Sequence, residues 1–283
     1  MFQINWKLKA LLYKIFGIFR AKKFFYFIQK YITKRSKVEI LEIKKAWRFH
    51  ANSIEKNNIK NLLEVGAGKS LEQNIFFSYK FNNLIEQTVI DINIMIDLDL
   101  VNCASSQISK ILKLENKGTI KNLKQLKDIY NINYKAPFKL KNLKENVHKF
   151  DICVSTTALE HFTTTEIKDY LVDLKKILTN DGLVSSAIDY SDHYSHTDKN
   201  ISNLNYLSFS ETEWQKYNNL YLFQNRMRHQ DYKKIFESNG YIIKDVILGR
   251  TLQRPEKISE NFDAGNEETF VGGGYFLIKS NNN

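Results

Sequence analysis

Histidine and acidic side chains are concentrated between residues 189 and 198, where the sequence reads DYSDHYSHTD. An imidazole can accept a proton near neutral pH, and imidazoles with carboxylates can bind a divalent metal ion. In one interpretation, His193 or His196 is a general base held by a neighbouring aspartate. In a second, a divalent metal that orients substrate hydroxyls is bound by Asp192, His193, His196 and Glu160. In a third, hydrogen bonds within the cluster only fasten its loop.

His161 is a third candidate catalytic histidine, because it closely follows an apolar run that reads as a strand. Strand ends are where α/β proteins bind their ligands, and an alcohol acceptor needs a group that removes its proton. We favour the general base over the metal, and either of these over a purely structural cluster.

Asp192, Arg226 and Arg228 are the candidate substrate-binding residues. The two arginines lie in the segment NRMRH, and their planar forked donors suit a phosphate or a carboxylate. The alternative is that one of them pairs with Asp231 or Glu237 at the surface.

A glycine-rich turn follows the first predicted strand, where residues 63–68 read LEVGAG. Glycine lets the backbone turn sharply and approach a ligand, and a helix that follows presents free N–H groups. Glu64 precedes Gly66, and a carboxylate there would repel a diphosphate but suits a ligand carrying an ammonium and a sulfonium. The third glycine of the dinucleotide fingerprint is missing, which disfavours a nicotinamide dehydrogenase.

Asp91 lies near the end of the second predicted strand. A carboxylate in that place can accept hydrogen bonds from both hydroxyls of a ribose. Together with the LEVGAG turn, it predicts a nucleoside cofactor. The structural alternative is that the glycines only permit close packing and Asp91 caps a turn.

Apolar runs and amphipathic segments alternate along most of the chain. The predicted strands are 61–65, 88–92, 129–134, 150–155, 183–188, 241–248 and 270–278. Helices are predicted at 166–178, ended by an Asn-Asp-Gly turn, and at 230–238. We expect an α/β fold: a Rossmann-like, doubly wound, mostly parallel sheet of seven strands, with an N-terminal helical arm and an insertion after the fifth strand.

Two segments stand apart from this alternation. Residues 1–55 are expected to form a basic amphipathic helical arm or lid, with helical spacing over 1–50 and aromatic residues continuing through 24–32. Residues 56–283 are expected to form the sheet domain. Within it, residues 189–228 form a substrate-side insertion, because this stretch is too long for an ordinary connection of roughly 2–6 residues.

The positive charge is concentrated in the arm. The whole chain has a net charge of +11, and residues 1–38 contain ten lysines and arginines but no acidic residue. Such a segment can be a lid over the cofactor cleft, a peripheral contact with an anionic membrane, or a nucleic-acid-binding arm. We favour the lid, then the membrane; nucleic acid is the least favoured partner.

The composition points to the cytoplasm, with a peripheral position at the inner membrane surface as an option. Cys103 and Cys153 lie in apolar surroundings without the spacing of metal ligands, which favours reduced thiols. No charge-free run approaches the ~20 residues that span a bilayer. A secretory signal is not expected, because Lys14 interrupts the only suitable apolar core.

The motifs resemble those of class I S-adenosylmethionine-dependent methyltransferases over residues 60–280. LEVGAG is similar to their first motif, VIDI to the acidic end of their second strand, and FDICVS followed by LEHF to their fourth-strand motif. The resemblance implies S-adenosylmethionine as cofactor, with S-adenosylhomocysteine as product. The cofactor-binding residues it implies are Glu64, Gly66, Gly68, Asp91, Ala136 and Ser155.

The insertion contains a DHYSH core, the stretch FSETEW at 209–214 and a closing NRMR. With these motifs it resembles a subgroup of methyltransferases associated with bacterial surface-polysaccharide biosynthesis. That resemblance implies O-methylation of a small carbohydrate-type acceptor: a sugar, a nucleotide sugar or a glycan-linked group. The alternatives are a quinone- or lipid-type acceptor, an RNA methyltransferase, or a non-catalytic cofactor-binding scaffold protein.

Overall fold

The computed structural model describes residues 3–18, 37–143, 149–219 and 222–281. The expected aromatic helix at 24–32 lies outside these ranges. The described helices are α1 (Trp6–Ile18), α2 (Lys45–Lys56), α3 (Glu72–Lys80), α4 (Leu98–Leu112), α5 (Leu123–Tyr130), α6 (Thr164–Ile177), α7 (Glu211–Trp214) and α8 (His229–Ser238).

One seven-stranded sheet forms the centre of the part of the chain that is described. Its strands are β1 (Asn61–Val65), β2 (Glu86–Ile90), β3 (Ile132–Lys135), β4 (Phe150–Thr156), β5 (Leu178–Asp189), β6 (Tyr241–Leu248) and β7 (Gly273–Ser280). The strand order is β3-β2-β1-β4-β5-β7-β6. The first five strands pair in parallel, whereas β7 is antiparallel to both β5 and β6, so the sheet is mixed.

The order of the strands positions the site. The chain runs from β1 outward through β2 to β3 on one side, and then crosses back to β4 on the other side of β1. In sheets of this type the crevice at such a switch point, beyond the carboxyl ends of the strands, receives the ligand. The LEVGAG turn follows β1 at this point.

Four strand predictions need correction. The second strand spans Glu86–Ile90 instead of 88–92, and the last spans Gly273–Ser280 instead of 270–278. The predicted strand 129–134 begins only at Ile132, because Leu126 and Tyr130 are buried at helical spacing in α5. This helix ends at Tyr130 and is followed by Asn131, which has a φ of 55°. The predicted helix 166–178 ends at Ile177, and β5 begins at the next residue instead of at 183. The Asn-Asp-Gly segment thus lies inside β5 and does not end the helix.

The N-terminal prediction also needs correction, because residues 37–44 are not helical. The helix that follows, α2, packs on the sheet: Trp47 and Ile54 belong to the same core as Leu62 of β1. The other face of β1, with Leu63, packs in a second core with α6 and α8. Alternating strand residues therefore face two helical layers, as expected for a sheet covered on both sides.

A buried histidine joins α2 to the sheet. The Nδ1 atom of His50 lies 2.6 Å from the hydroxyl of Ser185, and its Nε2 atom lies 3.1 Å from the hydroxyl of Thr156. That Thr156 hydroxyl donates to Gln73 Oε1 at 2.8 Å, so it must accept from His50 Nε2–H. Burial lowers the pKa of His50 to about 3, so the imidazole is neutral and its Nδ1 atom accepts from the Ser185 hydroxyl.

We predict that His50 makes the protein less stable in acid. Between the usual pKa of 6.5 and the folded pKa of about 3, the unfolded chain binds a proton that the folded chain does not. Lowering the pH through this window should therefore reduce the stability of the wild type relative to His50→Gln, by about 1.4 kcal/mol per pH unit. Urea titrations of both proteins at several pH values measure this difference. Parallel stability curves would contradict it.

The insertion after β5 has a small core of its own. Tyr194, Tyr206 and Trp214 of the insertion pack with Trp6 of α1 in a cluster separate from the two main cores. The Trp6 backbone N–H also donates to the Asp198 carboxylate at 2.9 Å. The described part of the arm therefore rests on the insertion that carries His193.

Candidate functional site

A cavity of about 450 Å³ opens at the carboxyl ends of β1 and β2. Gly66 lies in its wall after β1, and Asp91 lies in its wall after β2. This volume is within the range of small-molecule sites, roughly 300–1,000 Å³. The glycine turn and the aspartate predicted from sequence thus face one common space.

The two glycines of the turn both have left-handed backbone angles, with φ of +80° at Gly66 and +75° at Gly68. A Cβ on Gly66 would lie 3.4 Å from the Ala158 Cβ, whereas a Cβ on Gly68 would meet nothing within 4 Å. Glycine is therefore needed at both positions for the turn. Only Gly66 of the two lies in the cavity wall.

Glu64 lies on the opposite side of the sheet from the cavity. Its carboxylate is buried and accepts a hydrogen bond of 2.8 Å from the Asn74 side chain of α3. Burial raises the pKa of Glu64 to about 7, although hydrogen bonds from Gln73 and Asn74 oppose the shift. In the structure, Glu64 therefore links β1 to α3, and its contact with a cationic ligand stays a prediction.

Asp91 directly follows β2, which ends at Ile90. Its backbone N–H donates to Lys135 O, and its carboxylate accepts from the backbone N–H of Asn93 at 3.2 Å. The residue is 9% exposed and faces the cavity. It can therefore accept hydrogen bonds from a ligand.

Ala136 and Ser155 are not in the cavity wall. Ala136 packs against the core on the α2 side, and Ser155 is buried with its hydroxyl donating to Ser186 at 3.0 Å. Their cofactor roles stay predictions. The wall residues outside the quoted motifs are of two kinds: four apolar or aromatic ones, Phe138, Leu140, Ala158 and Tyr170, and five charged ones, Lys139, Lys141, Glu166, Asp169 and Asp173. The sequence signal that could have indicated these wall residues is their position shortly after a strand or in the helix that follows it.

Beside this cavity, a tight turn after β4 carries Glu160 and His161. The turn spans Leu159–His161, and the residues that flank it, Ala158 and Phe162, both line the cavity. Asn225 of the insertion fixes the turn, because its side chain donates to Leu159 O and Phe162 O. These hydrogen bonds connect the insertion to the turn that borders the cavity.

The three histidines of the cluster are neighbours. The ring of His193 lies 5.0 Å from that of His161 and 5.2 Å from that of His196, measured between centroids. The Nε2 atom of His193 lies 3.5 Å from the Asp189 carboxylate at the end of β5. The structure therefore brings the predicted catalytic histidines together with an aspartate.

Burial shapes the protonation of this cluster. Desolvation lowers the pKa of His161 and of His196, which favours neutral imidazoles. Burial alone would raise the pKa of Asp189, but hydrogen bonds from His193 and Ser191 outweigh it and lower that pKa. The cluster thus combines neutral bases with an ionised carboxylate.

The acidic and imidazole groups that could hold a metal differ from the expected set. Ligand atoms of Glu160, His161 and His193 all lie within 4.8 Å of one another. Asp192 points elsewhere: its carboxylate accepts from Tyr194 N–H at 2.8 Å and from the Asn205 amide at 3.0 Å. The group that the structure brings together therefore differs from the predicted metal ligands: it contains His161, and it lacks Asp192 and His196.

The two arginines are buried among backbone carbonyls. Arg226 donates to Tyr206 O and forms an ion pair of 2.6 Å with Glu211. Arg228 donates to Tyr190 O, to the Tyr206 hydroxyl and to Val271 O. These contacts join parts of the protein to one another. A substrate role for Asp192, Arg226 or Arg228 stays a prediction.

We expect Arg228→Met to destabilise the protein by about 3 kcal/mol, because it removes a buried charged donor and leaves the Val271 carbonyl without it. The matched control is Arg254→Met, whose guanidinium is 46% exposed and pairs with the exposed Glu267. That change should cost less than about 1 kcal/mol. Chemical denaturation of both variants measures the difference. Equal stabilities would contradict the structural role of Arg228.

Comparisons with known proteins give a loose likeness to solved structures. No protein-family model matches the chain, and no curated protein does. An S-adenosylmethionine-dependent methyltransferase from Clostridium acetobutylicum has 14% identity and a TM-score of 0.45, covering 92% of this chain and 98% of that one. A TehB-like methyltransferase from Corynebacterium glutamicum has 10% identity and a TM-score of 0.43, covering 84% and 89%.

A third structure, the methyltransferase SibL in its apo form, has 10% identity and a TM-score of 0.44. The matched region covers 83% of this chain but only 54% of SibL. At this level of similarity, the assignment of function depends on the residues of this chain.

No helix within the described ranges is long and apolar enough to cross a membrane.

Proposed function

We propose that the protein is an S-adenosylmethionine-dependent methyltransferase that methylates an oxygen of a small carbohydrate-type acceptor. One observation supports the cofactor above all others: Gly66 and Asp91 face the same cavity at the switch point of the sheet. The Asp91 carboxylate accepts hydrogen bonds from the ribose hydroxyls of the cofactor. The backbone after β1 passes close to the methionine end of the cofactor. The apolar wall formed by Ile92 and Phe138 suits the adenine ring.

The acceptor binds beside the cofactor, where the turn Leu159–His161 meets the insertion. Methyl transfer from a sulfonium is an in-line displacement, so alignment of the two substrates supplies much of the rate. The hydroxyl oxygen forms the new bond to the methyl carbon as the carbon–sulfur bond breaks. The hydroxyl proton must pass to a base.

His196 is the proposed base. It is exposed to an incoming substrate, and burial of part of its ring lowers its pKa, so that the imidazole is neutral and able to accept a proton. Its Nε2 atom lies 3.3 Å from the Ser191 hydroxyl. The nearby His193 is instead paired with Asp189.

The assay for this function uses the purified full chain with S-adenosylmethionine and a pool of nucleotide sugars. We expect formation of S-adenosylhomocysteine together with one sugar whose mass has increased by a methylene group. If the protein bound S-adenosylmethionine and transferred the methyl group to a quinone, a lipid or RNA but not to sugars, the proposed acceptor class would be wrong. Binding without transfer to any acceptor would favour the scaffold alternative.

For the arm, we propose a cover over the insertion that also contacts an anionic membrane. The inward face of α1 carries Trp6 and Ala10, which pack on the insertion. Its outward face exposes four apolar side chains near exposed lysines: Leu8 (49%), Leu11 (54%), Leu12 (37%) and Ile15 (39%). An apolar face flanked by cations is typical of helices that lie in an anionic membrane interface.

The membrane contact predicts that the chain co-sediments with vesicles of phosphatidylserine and phosphatidylcholine but not with phosphatidylcholine alone. Leu8→Ser combined with Leu11→Ser should reduce this binding by roughly tenfold, because both changes remove buried apolar area at the interface. The matched control is Leu84→Ser, since Leu84 is 80% exposed outside the arm. If the wild-type protein did not co-sediment with anionic vesicles, the proposed membrane contact would be wrong.

A further inference from the structure

We infer that Glu160, His161 and His193 bind one divalent transition-metal ion beside the acceptor position. Their ligand atoms lie within 4.8 Å of one another. Donors that share an ion at about 2.1 Å lie roughly 3–4 Å apart, so small side-chain movements close the site. Two imidazoles and one carboxylate suit zinc, iron or manganese better than magnesium or calcium, which prefer oxygen ligands alone.

Glu160 gives an independent reason for a cation at this place. The residue is 1% exposed, and neither of its carboxyl oxygens has a hydrogen bond of normal geometry among the described residues; the backbone N–H groups of Glu160 and Asp189 lie near the carboxyl without reaching that geometry. Buried polar groups normally have partners, and a buried carboxylate without one is especially unfavourable. A bound cation would satisfy these two oxygens.

Both histidines have the oxygen contacts that metal ligands usually have. The Nδ1 atom of His161 lies 2.8 Å from Phe223 O, and since a carbonyl only accepts, this nitrogen carries the proton. The Nε2 atom of His193 faces the Asp189 carboxylate at 3.5 Å. In His161 the other ring nitrogen, Nε2, then holds the lone pair. Such outer contacts fix the tautomer of metal-binding histidines.

The consequence for chemistry depends on the proposed methyl transfer. A divalent ion at this site would hold the acceptor hydroxyl and lower its pKa, while the neighbouring His196 takes the proton. The acceptor then needs an oxygen that can reach the ion, as a sugar hydroxyl can. Metal binding itself does not depend on this role.

The test uses the full chain without a histidine tag, treated with a chelator and then titrated with Co²⁺ in the absence of S-adenosylmethionine. We expect one equivalent to bind with the visible absorption of Co²⁺ in a nitrogen and oxygen site. Zn²⁺ should displace it, and Mg²⁺ should not. Glu160→Gln, His161→Gln and His193→Gln should each weaken Co²⁺ binding at least roughly tenfold. His196→Gln, the matched control, should bind Co²⁺ as the wild type does.

Thermal unfolding separates metal binding from a structural role. In metal-free protein, Glu160→Gln should unfold at the same temperature as the wild type or higher, because it removes an unpaired buried carboxyl. Added Zn²⁺ should raise the midpoint of the wild type but not that of the variant. The inference would be wrong if the wild type did not bind Co²⁺, or if none of the three substitutions affected this binding. It would also be wrong if Mg²⁺ displaced bound Co²⁺ as well as Zn²⁺ does. None of these results would affect cofactor binding, which is measured separately.

Discussion

Replacing Asp91 with alanine is expected to weaken the binding of S-adenosylmethionine by roughly 100-fold, which corresponds to about 3 kcal/mol. The reason is that the carboxylate lies in the cavity wall at the end of β2 and would accept hydrogen bonds from both ribose hydroxyls. Hydrogen bonds to a charged group are worth about 1.5–3 kcal/mol each. Equilibrium dialysis with labelled cofactor measures the loss.

Asp97→Ala is the matched control for this change. Asp97 caps α4 by accepting hydrogen bonds from Asp99 N–H and Leu100 N–H, and it does not line the cavity. Its loss should reduce stability by about 1 kcal/mol and leave cofactor affinity unchanged. If Asp91→Ala bound the cofactor as tightly as the wild type, the assigned ribose contact would be wrong.

Replacing His196 with glutamine should reduce kcat by roughly 10²- to 10⁴-fold while cofactor affinity stays the same, because the change removes the proton acceptor and leaves the cavity intact. A steady-state assay of S-adenosylhomocysteine release measures kcat, and equilibrium dialysis measures the affinity. The acceptor KM should change less than kcat.

His193→Gln separates the two roles within the cluster. It should reduce turnover and also Co²⁺ affinity, whereas His196→Gln should reduce turnover alone. Full turnover in both variants would eliminate proton removal by these histidines.

Local sequence rules predicted much of the sheet because their signals are short in range. The strand β1 and the turn at Gly66 have the predicted positions, since an apolar run followed by Gly-x-Gly has few other solutions. The start of β3 was misplaced because Ile129 and Tyr130 are apolar in either element. Only packing assigns them to α5.

Side-chain direction was harder to predict than strand position. The sequence indicates that Glu64 precedes the turn, but it does not show which face of β1 receives the carboxylate. The residue follows the alternation of the strand, so it shares the layer of Leu62 and meets Asn74 there. Likewise, Glu160 and His161 are distant in sequence from His193, and only the fold brings the three side chains together.

The arginines illustrate another limit. Their forked donors match anions and backbone carbonyls equally well, so residue type cannot separate a substrate clamp from a structural tie. The contacts of Arg228 with Tyr190 O and Val271 O depend on how the insertion folds back on β7. No periodic pattern in the insertion indicates that fold.

Calorimetric titration of the wild-type chain with S-adenosylmethionine, S-adenosylhomocysteine and NAD tests the central claim most directly. The account predicts one binding site for each of the two sulfur-containing nucleosides and no heat of binding for NAD. Binding of NAD in their place, or a folded protein that binds neither sulfur compound, would contradict it.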